Sequence, residues 1–182
     1  AQKTRVGVKI NGTTGVGDAT FNTNITGSSV RAIAYNPGGK VYVGGIFTNG
    51  GGGEAYFQIL NTADATDGGA LAANSDVWAL RLDPTNSRLY VGGAFSSLGG
   101  ETLPGIGKIN TATDAMITAA TFNPDVTASK IIYSLWLTQG AAEASTSLYF
   151  GGTFDYLNTA TIMENVLAPR VAGCTAAAGL SL

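Results

Sequence analysis

Apolar and polar residues alternate along this chain in short runs, and turn-forming Gly, Pro, Asn and Asp separate the runs. A period of two over a few residues is the mark of half-buried strands. The longest apolar run, Ile131 to Leu137, is strand-sized and interrupted by Ser134. No run approaches the ~20 residues of a membrane helix. The pattern predicts an all-β chain.

The runs also repeat. VYVGGIF at 41–47, LYVGGAF at 89–95 and LYFGGTF at 148–154 share the form apolar-Tyr-apolar-Gly-Gly-x-Phe, 48 and 59 residues apart. A second segment precedes each copy: VRAIAYNP from Val30, VWALRLDP from Val77 and IYSLWLTQ from Ile132. Aligned, these give an apolar residue (Val30, Val77, Ile132), a small one (Ala32, Ala79, Ser134) and two more apolar positions (Ile33, Leu80, Leu135; Tyr35, Leu82, Leu137). The connections Asn36-Pro37-Gly38-Gly39 and Asp83-Pro84-Thr85-Asn86 predict hairpin turns, because Pro fixes φ and Gly or Asn tolerates a positive one. A third segment, VGVKIN at 6–11, YFQILN at 56–61 and GIGKIN at 105–110, leads into Thr-, Asp- and Gly-rich turns. A fourth echo is ATFNTNIT at 19–26 against ATFNPDVT at 120–127.

Four short strands per unit of about 48 residues are the pattern of a propeller blade. The expected fold is therefore all-β: a β-propeller-like array of four-stranded antiparallel blades in a single repeat domain, 1–182. Residues 1–29 form the tail of a partial blade, 30–76 unit one, 77–130 unit two, and 131–182 unit three with expanded loops at 138–147 and 155–167. A sandwich or a β-solenoid is the competing stacked arrangement. The Gly-Gly pair is expected where neighbouring backbones approach closely, and the following Phe (Phe47, Phe95, Phe154) where space between sheets must be filled. About three and a half units fall short of the four or more blades of a closed ring. Open sheet ends associate readily, so a partner is expected: self-association, or other subunits of a larger assembly.

Composition narrows the function. Charged residues are 12% of the chain, and the net charge is −2 with Lys and Arg scattered. No basic stripe follows a phosphate backbone, which argues against nucleic acid as a partner. The single cysteine, Cys174, is expected to be a small buried thiol. The chain begins at Ala1 without an initiator Met or a signal-peptide pattern, the start expected of a processed or internal segment.

The stretch FNTNITGSSVRAIAYNPGGKVYVGGIFT resembles the bacterial delta-sixty repeat, which runs Phe-Asn, apolar-x-Ala-Ile-Ala-x-x-Pro-x-Gly-Lys, then apolar-Tyr/Leu-Val-Gly-Gly-x-Phe. The KIN segments resemble that family's Arg-Leu-Asn strand. The likeness covers most of residues 6–154 and is weakest in the third unit, where the Pro-x-Gly turn is lost. It implies a β-propeller-like fold and a place on a bacterial surface or in a phage tail or fibre. The family has no established catalytic residues, so the resemblance implies none here.

Candidate chemistry is sparse. The chain has no histidine, which removes Ser-His-Asp and Cys-His arrangements and most zinc sites. Its acidic residues lie mainly in turns (Asp18, Asp64, Asp67, Asp114, Asp125), where an Asx-turn cap is the expected role. Asp64 and Asp67 supply too few oxygens for a calcium site. Gly50 to Gly53 lacks the Lys-Ser/Thr of a phosphate loop. Asn11-Gly-Thr13 and Asn24-Ile-Thr26 match the glycosylation sequon at a rate chance explains. No cofactor, metal or catalytic residue is expected. Aromatic residues remain. The second aligned position of the first strand reads Arg31, Trp78, Tyr133, and the fifth reads Ala34, Arg81, Trp136. Trp78, Tyr133 and Trp136 are the candidate ligand-binding platform, because an exposed aromatic face suits sugar rings or protein contacts; packing between blades is the alternative role. The expected function is a non-enzymatic structural or adhesive module of an extracellular, cell-surface or virion assembly. A carbohydrate-binding propeller is the alternative.

Overall fold

A computed structural model of the chain describes residues 7, 9–49, 54–122, 124, 131–138, 142 and 145–153. The described part is all-β, with two four-stranded antiparallel sheets and a hairpin. Sheet one has the order β1 (Thr26–Asn36), β2 (Lys40–Asn49), β3 (Phe57–Asn61) and β4 (Asp67–Gly69). The second sheet is built from β5 (Val77–Asp83), β6 (Arg88–Gly93), β9 (Ile106–Asn110) and β10 (Ala115–Met116), in that spatial order. The hairpin pairs β11 (Ile131–Thr138) with β12 (Ser147–Thr153). Between β6 and β9 lies a small extra hairpin, β7 (Ser97–Leu98) with β8 (Glu101–Thr102). Its turn is Gly99-Gly100, both at positive φ (57° and 86°), the conformation that suits a two-residue hairpin loop.

The first three strands of units one and two thus match their sequence segments. The fourth does not. It is β4 or β10, short strands from the turn-rich stretch after the KIN-type strand. The ATFN segments are not strands among the described residues. Asn22 Oδ1 and Thr23 Oγ1 accept from the N–H groups of Asn24 and Ile25, and Asn24 has φ 49°. Such local bonds compete with a ladder. The segments instead drive Phe21 and Phe122 into the apolar core. Lys9–Asn11 is also less than a strand, making a single bridge from Ile10 to Gly17. No Gly-Gly strand flanks it among the described residues.

The three sheets stack face to face. Between sheets one and two lie Tyr42, Phe57 and Ile59 from one side and Val77, Leu89, Val91, Phe95 and Ile109 from the other, all buried. Tyr90, Ile106 and Phe122 meet Ile132, Leu137, Leu148 and Phe150 between sheet two and the third hairpin. A third cluster, Phe21, Ile25, Val43, Phe47, Leu60 and Ala65, covers part of the outer face of sheet one. Phe95 fills space between sheets one and two as the sequence suggests, whereas Phe47, equally buried, packs in the cluster on the outer face of sheet one. The stack is open among the described residues. Phe154, Gly50–Gly53, Asp125, the loop 155–167, Cys174 and residues 172–182 lie outside them. No helix among them is long and apolar enough to cross a membrane.

Candidate functional site

The three hairpins share one irregularity. Val30 faces Gly45 and Ala32 faces Gly44; Val77 and Ala79 face Gly93 and Gly92; Ile132 and Ser134 face Gly152 and Gly151. Each first strand therefore carries one extra residue, a β-bulge, and that residue is Arg31, Trp78 or Tyr133. A bulge re-aims its side chain. Here it brings the three together into a ladder across the sheets. The Arg31 guanidinium lies over the Trp78 ring at 3.6 Å from its centroid. Trp78 meets Tyr133 edge-on, with ring centroids 5.2 Å apart at 88°. Trp136 stands apart from this ladder, with the Arg81 guanidinium 4.4 Å from its ring centroid. Trp78 Nε1 and Arg81 Nε are buried without a hydrogen-bond partner among the described residues, so π contact holds both pairs.

The structure thus joins Trp78 and Tyr133 and separates Trp136 from them. One face of Trp78 is occupied by Arg31, and the residue is half-buried. Tyr133 and Trp136 remain 45% and 60% exposed. The variable aligned positions are therefore partly contacts between layers and partly open aromatic surface.

The Gly-Gly pair has two separate duties. A Cβ on the second glycine would strike the hairpin's own backbone: 2.2 Å from Ser29 O at Gly45 and 2.2 Å from Asp76 O at Gly93. This glycine admits the bulge. A Cβ on the first would strike the neighbouring sheet: 2.3 Å from Val77 Cγ1 at Gly44 and 2.8 Å from Ile132 Cγ2 at Gly92. This glycine is a notch that receives the next layer's apolar side chain. The expected close approach of backbones thus occurs within each hairpin, at the second glycine; between layers it is a side chain that approaches the first, a division that depends on the register.

The turns carry the polar chemistry. Asp18, Asp64 and Asp67 accept from the N–H groups of Thr20, Thr66 and Gly69, as expected of Asx turns. Hydrogen bonds from Lys9 and Thr20 hold the Asp18 carboxyl well below the usual range, and those from Thr66 lower the Asp64 carboxyl. Asp114 departs from the expected role. It lies at φ 53° after β9 and reaches across to sheet one. There it pairs with Lys40 and accepts from Tyr42 Oη at 3.0 Å. Burial, with the adjacent Asp114 charge opposing ionisation, pushes the Tyr42 phenol up to about 12. In the expanded third turn, buried Thr146 lies 3.5 Å from Asp83 Oδ2, and Asp83 also accepts two bonds from Asn86.

Among the described residues, no three Asp, Glu, Cys or His side chains gather where they could hold a metal ion. No protein-family model matches this sequence, and no curated protein matches it.

Proposed function

We propose that this chain is a non-enzymatic structural module of an extracellular or virion surface assembly, a segment of β-propeller-like stack used as a fibre, tail or coat component. The observation that carries this reading is the condition of the two ends of the stack. Ile33 and Tyr35, the counterparts of the inter-sheet residues Leu80 and Leu82, are each 61% exposed on the outer face of sheet one. At the far end Trp136 is 60% exposed. Large apolar side chains at both ends of a repeat stack suit a part that is joined to others. The delta-sixty resemblance and the lack of histidine support the same reading. Sugar binding by the aromatic platform is the weaker reading, because Arg31 occupies a face of Trp78.

Light scattering on the purified full chain at micromolar concentration tests the proposal. The expected result is a mass of two or more chains, or a filament. A mass of one chain at every concentration contradicts it.

A further inference from the structure

Each internal junction of the stack is made in one way. The later hairpin presents an apolar residue at its bulge, followed by two more on the same face: Val77, Leu80 and Leu82, then Ile132, Leu135 and Leu137. The earlier hairpin presents its first glycine as a notch. Val77 Cγ1 lies 2.3 Å from where a Cβ on Gly44 would be, and Leu80 Cδ1 3.7 Å away. Ile132 Cγ2 lies 2.8 Å from the same point on Gly92, and Leu135 Cδ1 3.4 Å away. A buried tyrosine of the earlier hairpin, Tyr42 or Tyr90, completes the contact.

The ends of the stack carry the two halves of a third such junction. Sheet one presents Val30, Ile33 and Tyr35 in the register of Val77, Leu80 and Leu82. Among the described residues no glycine notch receives them. A cavity of about 330 Å³ lies at this face instead, bordered by Val30, Ile33, Tyr35, Phe21 and Ile25. The last hairpin presents Gly151 in the register of Gly44 and Gly92. Among the described residues, a Cβ there would meet only Ser134 Oγ, at 3.1 Å. Tyr149, the counterpart of Tyr42 and Tyr90, is half-buried, and its cross-strand neighbour Trp136 is exposed. Among the described residues, one end thus has a knob without a glycine notch, its Val30 resting against the cluster that includes Phe21 and Ile25, and the other a notch without a knob.

We infer that the Val30–Ile33–Tyr35 face of one chain docks on the Gly151–Tyr149–Trp136 face of a second copy, repeating between chains the packing found between sheets. This inference rests on the assembly reading above and specifies its contact. The association is head-to-tail, so it closes into a ring or propagates as a filament according to the rotation between copies.

Two variants test it. Ile33→Asp with Tyr35→Asp blocks one face and leaves the other; Gly151→Leu does the reverse. Both changes fall on surface outside the internal junctions. The wild type should assemble, and each variant alone should fall to the mass of one chain. An equimolar mixture should form a dimer of one copy of each, doubling the mass, since one open face of each kind remains. That dimer also shows that both variants are folded. If the wild type assembles and the variants still do so alone, these faces are not the contact, and the assembly reading survives without them. A mixture that stays at single-chain mass also overturns the inference. A wild type of single-chain mass overturns both readings.

Discussion

At the scale of single residues, the glycine pair sets the spacing of the layers. Gly44 stands where a methyl group would lie 3.0 Å from Val77 Cβ and closer still to its Cγ1. Valine has a stiff χ1 and cannot swing aside. Gly44→Ala is therefore expected to cost about 1–3 kcal/mol, the usual penalty of overpacking. The same change at Gly151 meets only the Ser134 hydroxyl among the described residues, and should stay within about 0.5 kcal/mol. Urea unfolding of the two variants measures the contrast; equal effects would mean that Gly44 is not a tight notch. The pair was legible in the sequence as a point of close approach, because Gly-Gly recurs three times at one place in the repeat. What each glycine does was not legible. That follows from the bulge opposite the pair, and a bulge residue as varied as Arg31, Trp78 and Tyr133 leaves no compositional trace.

Between elements, the first three strands of each complete unit were readable from alternation and turn chemistry. The fourth was not. β4 and β10 are two or three residues long, too short for periodicity to register, whereas the ATFN echo looked more like an element and is a plug. Sheet one is also tied to sheet two by a contact no pattern foretells, from Asp114 in the β9–β10 turn to Lys40 and Tyr42. The ordinary tyrosine value is near 10, and in the folded chain burial and Asp114 push Tyr42 up to about 12. A raised value means that the neutral phenol favours folding. Its contribution is complete below pH ~10 and is lost as pH rises from ~10 through ~12. Tyr42→Phe should flatten that part of the stability profile while costing about 1 kcal/mol near neutrality through the lost hydrogen bond. Denaturant midpoints across the alkaline range check it, and an unchanged alkaline slope would contradict it.

For the whole molecule, the repeats lead to an expectation of about three and a half units, fewer than a closed ring needs. Among the described residues, Val30, Ile33 and Tyr35 of the first hairpin and Gly151 and Tyr149 of the last stand in the register of the residues that form the internal junctions. The most direct measurement is disulfide trapping in a Cys174→Ser background. Val77 Cβ lies 3.0 Å from a Cβ built on Gly44, close enough that modest adjustment reaches the 3.5–4.5 Å of a disulfide. Gly44→Cys with Val77→Cys is therefore the control that closes within one chain. Val30→Cys with Gly151→Cys places the same pair at the two ends. Under mild oxidation, cross-linked species of two or more chains are predicted, absent from either single variant and reversed by reductant. Closure of the control with no bond between chains in the end-to-end pair would contradict the account.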